Sequence, residues 1–268
     1  MKKYVDLFGF VFMIGACLSQ GRAQTKSAVS YKNPVVDIAM PDPTVIKAAD
    51  GYFYVYATES TRNVPIMKSK DLVEWTYCNT AFTNKTRPRF EPKAGIWAPD
   101  INYINGKYVL YYAMSVWGGE QTCGIGVATA NSPQGPFTDH GKMFRSNEIG
   151  VQNSIDPSLL QYEGRNYLVW GSFRGIYVIE LTADGLSIMP GAKKKRIAGT
   201  AFEAVYIHKH DDYYYMFASI GSCCQGVKSK YKVVVGRSKK VWGPYKDKTG
   251  KPMLKNGYSL VIGANDHF

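Results

Sequence analysis

Short runs of Val, Ile, Tyr and Phe alternate with polar or Gly-containing turns along most of this chain. Runs of this length and composition are typical of β-strands, and no long stretch shows the 3.6-residue period of an amphipathic helix. Pairs of runs are joined by turns with hairpin chemistry. These turns are Asp50-Gly51, Asn105-Gly106, Glu163-Gly164 and Asp211-Asp212. The pattern predicts an all-β chain built from hairpins.

The hairpins belong to a larger repeat that begins with an acidic residue each time. An apolar run, a turn and an aromatic-rich run follow the acid and end 15 or 16 residues later at Thr or Ser. The acids are Asp42, Asp100, Asp156 and Glu203, and the hydroxyl residues are Thr58, Ser115, Ser172 and Ser219. Spacings of 58, 56 and 47 residues between the acids indicate an array of like units.

A second hairpin fills the rest of each period, at 65–75, 124–137 and 233–245. Roughly four strands per 40–60 residues is typical of a propeller blade, with the first strand innermost. A β-sandwich is the alternative, but it gives no reason for an acid at one fixed point of each repeat. We therefore predict a β-propeller.

The repeated acids carry the candidate chemistry. Inner strands of a propeller run side by side around one axis, so equivalent positions at their starts ring one mouth of the channel. We expect Asp42, Asp156 and Glu203 to converge there. Crowded, partly desolvated carboxylates have pKa values that split, as general acid and general base catalysis at one pH require. Asp100 has a second interpretation, because Ala98-Pro99-Asp100 would serve equally well as a structural corner.

Aromatic residues give a second indication of function. Trp97, Trp117 and Phe173 are predicted at strand ends or in loops, outside the strands themselves. Aromatic faces beside carboxylates suit sugar rings, whose C–H faces stack while their hydroxyls take hydrogen bonds. Most of the tyrosines are instead expected to pack between blades.

The first 24 residues are typical of a secretory signal, with the basic start Met1-Lys2-Lys3, an apolar run and a cleavage site after Ala23. In the alternative, Ile14-Gly15-Ala16-Cys17 is a lipoprotein signal and Cys17 is lipidated. We predict an exported chain, secreted or periplasmic or a surface lipoprotein, without a transmembrane segment. The propeller domain is predicted at 25–268.

The remaining cysteines and the charge add little. Cys78, Cys123, Cys223 and Cys224 fit neither a disulfide scaffold nor a zinc site. A bond between the adjacent Cys223 and Cys224 is not expected because its geometry is strained, and Cys78 and Cys123 are expected to be small buried residues. The net charge of +12 is scattered over turns without a nucleic-acid motif. It predicts mild attraction to acidic surroundings and no nucleic-acid partner.

The segments that open the four repeats also match a known family in order. They are Met40-Pro41-Asp42-Pro43-Thr44-Val45, Ile96-Trp97-Ala98-Pro99-Asp100, Asn153-Ser154-Ile155-Asp156-Pro157 and Phe202-Glu203-Ala204. They resemble the blade-opening motifs of the five-bladed propeller glycoside hydrolases of family 43. The resemblance covers 31–268 and implies a five-bladed β-propeller, of which about four blades are present here.

Two further stretches resemble the α-1,5-L-arabinanases within that family. They are Trp170-Gly171-Ser172-Phe173 with Gly175-Ile176, and Cys223-Cys224-Gln225-Gly226 through Ser229 and Tyr231 to Val235-Gly236-Arg237-Ser238. The resemblance implies an inverting endo-α-1,5-L-arabinanase whose partner is plant cell-wall arabinan or a related pentose polymer.

The same resemblance implies residue roles. Asp42 would be the general base, Glu203 the general acid, and Asp156 the residue that raises the pKa of that acid and holds it in place. Acid and base would stand roughly 6.5–9.5 Å apart to admit the attacking water. The implied substrate-binding residues are Trp97, Gly118, Asn153, Ser154, Ser172, Phe173 and Arg174. Of these, Trp97 and Phe173 would be the stacking platforms.

The chain departs from the family pattern at three places. Arg174 stands where arabinanases commonly have an aromatic, and Pro41 stands where many relatives have a His. The chain stops at Phe268, before the family's fifth-blade Gly-Pro-Gly-His motif, and we expect it to be a fragment with exposed strand edges. The His of that motif is the usual ligand of a central calcium. No metal ligand is therefore named here, and no cofactor is required for the chemistry.

Several functions remain open on this fold. The alternative enzymes are an exo-acting β-xylosidase or α-L-arabinofuranosidase of the same family. A carbohydrate-binding propeller without catalysis is a third candidate. A protein-binding propeller is a fourth, and on that alternative the matching positions of the three carboxylates would be a coincidence.

Overall fold

Residues 30–263 are described in the computed structural model, and within them sixteen strands form four sheets of four. Blade I consists of β1 (Thr44–Lys47), β2 (Phe53–Tyr56), β3 (Pro65–Ser69) and β4 (Trp75–Thr80). Blade II consists of β5 (Gly95–Ile104), β6 (Lys107–Ser115), β7 (Gly124–Ala130) and β8 (Thr138–Arg145). Blade III consists of β9 (Ser158–Tyr162), β10 (Arg165–Trp170), β11 (Ile176–Glu180) and β12 (Lys195–Ala198). Blade IV consists of β13 (Glu203–His210), β14 (Tyr213–Ile220), β15 (Lys232–Ser238) and β16 (Ser259–Ile262).

Each sheet is an antiparallel meander in which strands pair in chain order. The first strands approach one another in the order β1, β5, β9 and β13. They surround a cavity of about 820 Å³ that is lined mainly by 44–47, 100–103 and 159–163. The predicted architecture, an all-β chain carrying four blades of a five-bladed β-propeller, is confirmed.

Left-handed turn residues account for the tight hairpins that join the inner two strands of blades II and III. Asn105 and Gly106 have φ of 47° and 82°, and Glu163 and Gly164 have φ of 50° and 73°. Two successive residues with positive φ match the right-handed twist of the flanking strands, and Gly and Asn adopt this conformation at low cost. The predicted hairpin turns are thus present.

The second hairpin of blade IV differs from the prediction. Its fourth strand, β16, is separated from β15 by a twenty-residue excursion that contains the short 3-10 helix Met253–Lys255. The segment predicted as a hairpin at 233–245 therefore supplies only one blade strand. The basic run at 193–196 enters the outermost strand of blade III at Lys195, although its side chains remain exposed. One helical turn, α1 (Ser146–Ile149), follows β8.

The core consists of apolar layers between neighbouring blades. One cluster joins blades I and II, a second joins II and III, and a third joins III and IV. Tyr56, Tyr111 and Tyr112 are fully buried, as expected for tyrosines that pack between blades. Cys123 is buried, whereas Cys78 is only half-buried against the first cluster.

The described residues from Asn33 onward form one compact unit, and the three before them have no regular secondary structure. The predicted secretory signal at 1–24, with Cys17, lies outside the described residues. Within 30–263, no helix has the length and apolar character needed to cross a membrane.

Candidate active site

Three of the repeated acids enter the fold through left-handed backbone at the start of an inner strand. Asp42 and Asp156 stand two residues before β1 and β9, with φ of 50° and 58°. Glu203 is the first residue of β13 and precedes Ala204, whose φ is 53°. Non-glycine residues in this region each cost about 1–3 kcal/mol and cluster at functional sites, where surrounding contacts hold them.

These three carboxyl groups lie within range of one another's charge. The pKa of Asp156 is raised well above its ordinary value, first by burial and then by the negative charges of Glu203 and Asp42. Burial is also the main cause that raises the pKa of Glu203, and Asp42 adds to it. Because buried carboxyls and neighbouring like charges resist ionising, Asp156 and Glu203 hold their protons to higher pH than separate carboxyls would.

Asp42 is exposed and is held by a hydroxyl group of its own blade. The Thr58 hydroxyl donates to Asp42 Oδ2 at 2.5 Å and accepts the backbone N–H of Ala98 at 2.7 Å. The second contact comes from blade II. The orientation of Asp42 is therefore fixed by two blades, while its carboxylate still faces solvent.

Glu203 is only 8% exposed, and both of its carboxyl oxygens are occupied. Ser172 donates its hydroxyl to Oε2 at 2.6 Å, and Tyr231 donates its hydroxyl to Oε1 at 2.5 Å. The Asn153 amide in turn donates to the Ser172 hydroxyl at 2.9 Å. Glu203 is thus held from blade III on one side and from the loop before β15 on the other.

Asp100 does not share this environment. Its carboxyl accepts the Leu159 N–H and the Asn102 side-chain N–H, both at 2.7 Å, and the Thr44 hydroxyl at 3.5 Å. Thr44 belongs to blade I and Leu159 to blade III, so Asp100 links three inner strands. Burial raises its pKa to about 6 against the opposing effect of these bonds. The structural interpretation of Asp100 therefore fits its contacts.

Trp97 lies beside the acids. It lies inside β5, so the prediction that placed it outside the strands is wrong. It precedes Ala98, whose N–H donates to the Thr58 hydroxyl, and its side chain packs against the buried cluster that includes Ile155, the neighbour of Asp156. Trp117 extends this aromatic surface, because its ring centre is 5.5 Å from that of Trp97 and it is 77% exposed. The two indoles offer an apolar face for a sugar ring.

The other predicted substrate-binding residues lie on loops of blades II and III. Phe173 is half-buried, and its N–H donates to the Phe202 carbonyl next to Glu203. Arg174 is exposed and forms an ion pair with Glu120 at 2.8 Å. Gly118 lies in the same loop as Glu120, with φ of 80°. This ion pair connects the two loops near the acids.

Ser154 and Asn153 have different surroundings although they are adjacent. Ser154 is fully buried, and its hydroxyl donates to the Val151 carbonyl and accepts the Trp170 indole N–H. Asn153 is half-buried and contacts Ser172. The side chain of Ser154 therefore braces the loop from inside, whereas that of Asn153 belongs to the network around Glu203.

One prediction about the cysteines is wrong. Cys223 and Cys224 form a disulfide bond with each other in the loop between β14 and β15. The strain of such a bond was the only reason against it. The loop accommodates the bond with left-handed backbone at Cys224, whose φ is 68°.

The structural context also identifies residues whose roles the sequence argument missed. Thr58 was noted only as the end of a repeat unit, and Ser172 as the end of a unit and an implied substrate-binding residue, yet each hydroxyl holds one of the acids. Their regular placement was the available signal. Tyr231 and Glu120 gave no local signal of this kind, because their partners are distant in sequence.

Comparison with known families agrees with this geometry. The profile described as Glycosyl hydrolases family 43 matches residues 31–266, which is most of the chain. The chain belongs to glycosyl hydrolases family 43. The matched range includes all four blades and every site residue described above.

Individual relatives of this family 43 protein are similar over most of their length. Extracellular endo-alpha-(1->5)-L-arabinanase 1 of Bacillus subtilis (strain 168) is 38% identical, over 100% of this chain and 87% of the relative. Extracellular exo-alpha-(1->5)-L-arabinofuranosidase ArbA of Cellvibrio japonicus (strain Ueda107) is 36% identical, over 84% of this chain and 71% of the relative.

Solved structures give the same result. The Cellvibrio cellulosa alpha-L-arabinanase complexed with arabinohexaose is 32% identical with a TM-score of 0.76, over 84% of this chain and 79% of that one. Native Bacillus subtilis arabinanase Arb43A is 35% identical with a TM-score of 0.73, over 84% and 81% of the two chains.

A central calcium is implied by the resemblance to family 43 and was tested against the side chains. Within residues 30–263, no group of three or more His, Cys, Asp or Glu is arranged to hold a metal ion. These residues therefore supply no side-chain ligand set for that calcium, and the proposed reaction does not use it.

Proposed function

We propose that this family 43 glycoside hydrolase cleaves α-1,5-linked L-arabinan with inversion, using Glu203 as general acid and Asp42 as general base. The observation that carries the proposal is the environment of Glu203. Its carboxyl is buried and lies near the negative charge of Asp42, and both conditions raise its pKa. A carboxylic acid kept protonated toward neutral pH is what a general acid requires.

The proposed reaction uses the protonated carboxyl of Glu203 and the solvent-exposed carboxyl of Asp42. Glu203 gives its proton to the glycosidic oxygen while the bond from that oxygen to the anomeric carbon breaks. Asp42 takes a proton from a water molecule, whose oxygen bonds to the anomeric carbon from the opposite face. Asp42 suits this role because it is exposed to water and oriented by Thr58. The acid–base separation of roughly 6.5–9.5 Å stays a prediction.

Asp156 is proposed to act on Glu203 and not on the sugar directly. Its carboxyl accepts the backbone N–H of Ala204, which directly follows Glu203. It therefore fixes the strand that carries the acid. Whenever it is ionised, its charge also opposes ionisation of Glu203.

The substrate assignment rests on the aromatic surface and on the relatives. Trp97, Trp117 and Phe173 present rings near the acids, and the relatives described above are named for arabinan or its arabinose units. Arg174 lies where arabinanases commonly have an aromatic, and its ion pair with Glu120 gives that subsite a polar edge. The natural partner is then plant cell-wall arabinan.

Exo action is the second candidate, because ArbA is named as an exo-acting arabinofuranosidase. We also propose export of the chain, either by an ordinary signal at 1–24 or as a lipoprotein through Cys17. The two relatives named as extracellular support export. Mass analysis of the mature protein distinguishes cleavage after Ala23 from a lipidated Cys17.

The test is digestion of linear arabinan, branched arabinan and xylan in parallel, with products separated by size. Endo action gives a spread of short oligomers from linear arabinan, whereas exo action gives small products of one size from the start. Glu203→Gln is the matched control and releases no sugar above background. Retention on an arabinan column without any sugar release by the wild-type protein contradicts the proposal and favours a carbohydrate-binding propeller.

A further inference from the structure

The Tyr231 hydroxyl is the closest partner that the structure gives to Glu203. It donates to Oε1 at 2.5 Å, while Ser172 donates to Oε2 at 2.6 Å. Burial and the negative charge of Glu203 both raise the pKa of the Tyr231 phenol. The phenol therefore stays protonated and remains a donor at every working pH.

The backbone of one loop places this hydroxyl. Tyr231 ends the connection between β14 and β15, whose base is closed where the Lys230 N–H donates to the Ser222 carbonyl at 3.0 Å. Gly221 permits the closure, because its φ is 98° and a Cβ atom there would lie 2.3 Å from the Lys230 carbonyl oxygen. The loop therefore holds Tyr231 through its backbone, independently of the Tyr231–Glu203 bond.

A general acid must be protonated before the reaction and ionised after it. Burial and the negative charge of Asp42 favour the protonated state of Glu203, and Asp156, whose own pKa Glu203 raises, also faces it. The Ser172 and Tyr231 hydroxyls favour the ionised state, because a donor to a carboxylate stabilises its charge. The two hydroxyls thus offset the cost of leaving a buried anion once the proton has gone.

We propose that Tyr231 is a positioning residue for the general acid: its hydroxyl fixes the Glu203 carboxyl and stabilises the carboxylate that forms as the proton leaves. This inference rests on the proposed function of Glu203. It extends that function to a residue on a different loop, whose contact is with the acid itself.

Tyr231→Phe tests the inference because it removes the hydroxyl and keeps the ring. Loss of a donor to the anion raises the pKa of Glu203, so the alkaline limb of the kcat/KM profile on linear arabinan moves up by about one pH unit. We expect kcat at the optimum to fall about tenfold, with KM changed less than about twofold. A purely structural role would lower activity without moving the alkaline limb.

Tyr215→Phe is the matched control. Tyr215 lies half-buried in the same blade, and its hydroxyl interacts with Arg237, away from the acids. This variant should keep the wild-type pH profile. An alkaline limb that moves equally in both variants, or in neither, overturns the inference.

A second readout does not need turnover. The Glu203 carboxyl carbon is followed by NMR in protein labelled with ¹³C-glutamate, and its signal is assigned by its loss in Glu203→Gln. Tyr231→Phe should shift its titration upward by about one unit, and an unchanged titration overturns the inference. A wild-type protein that releases no sugar instead refutes the proposed function, and the titration alone then decides whether Tyr231 acts on Glu203.

Discussion

Asp100 in blade II and Asp156 in blade III occupy the same place in the sequence repeat but different places in the molecule. Asp156 and Asp42 lie eight and nine residues before the glycine of their hairpin turns, whereas Asp100 lies six before its own. A bulge in β5 lies between Trp97 and Asp100, directly before this acid. The residue of blade II that lies nine before its turn is Trp97.

The two aspartates also differ in what faces them. Asp100 accepts three hydrogen bonds from neutral groups of three blades, which fixes it as a link inside the channel. Asp156 faces two other carboxyl groups, Glu203 and Asp42. A buried acid surrounded by donors is typical of structural roles, and one surrounded by acids is typical of proton transfer. The sequence repeat therefore indicates where the acids occur, whereas the groups that surround each carboxyl determine its role.

The largest effects are expected when the carboxyl groups of the three aspartates are replaced by amides one at a time. Asp42→Asn should lower kcat/KM on linear arabinan by about 10²–10⁴-fold, because an amide cannot take a proton from water. Asp156→Asn should lower it as well, because an amide in place of this carboxyl ends its charge interaction with Glu203 and Asp42. Asp100→Asn should stay within about threefold of wild type, because its amide oxygen still accepts the Leu159 N–H.

Circular dichroism and thermal unfolding of all three variants provide the control for folding. If a folded Asp100→Asn variant lost activity as completely as Asp42→Asn, Asp100 would no longer differ in function from the acids at the channel mouth. Wild-type turnover by Asp42→Asn would remove its assignment as the base.

Much of the fold could be predicted because strand chemistry and turn chemistry are local. The hairpin turn at Asn105-Gly106 needs only two residues that tolerate positive φ, so the sequence displays it directly. The fourth strand of blade IV could not be placed in this way. The predicted hairpin ended at the Gly243-Pro244-Tyr245 segment, whereas β16 begins only after the twenty-residue connection that contains this segment.

Only the site residues that belong to the sequence repeat could be placed together from the repeat. Placing Asp42, Asp156 and Glu203 together needed nothing beyond the equivalence of blades. The Tyr231–Glu203 and Arg174–Glu120 contacts join residues 28 and 54 positions apart across loops of irregular length. The Cys223–Cys224 bond likewise lies inside such a loop, next to left-handed backbone that no sequence period indicates.

A second prediction uses the raised pKa of Asp100. Its pKa of about 6 in the folded protein exceeds the ordinary value of an unfolded Asp, so the folded state holds the proton more tightly. The resulting stability is fully present below about pH 4 and is lost as the pH rises through about 6. The wild-type protein should therefore lose about 1–3 kcal/mol of unfolding free energy between pH 4 and 7, relative to Asp100→Asn.

Urea unfolding of both proteins at pH 4, 5, 6 and 7 measures this difference. Comparing the two proteins at each pH cancels the titration of every other group. Parallel pH dependence would mean that Asp100 ionises in the folded state as it does in water, and the view of it as a desolvated link would fail.

The smallest expected effect tests Trp97, the aromatic residue of blade II that lies beside the acids. A Cβ atom at residue 95 would lie 2.3 Å from the indole nitrogen of Trp97, so Gly95→Ala must displace the ring. We expect KM for linear arabinan to rise about tenfold, near 1.4 kcal/mol, with kcat almost unchanged, because stacking binds the sugar before and during the reaction. A double-mutant cycle supplies the control: in a Trp97→Ala background, Gly95→Ala should have no further effect. Additive losses would mean that Gly95 acts through the backbone of β5, and Trp97 would then lose its place as the sugar platform.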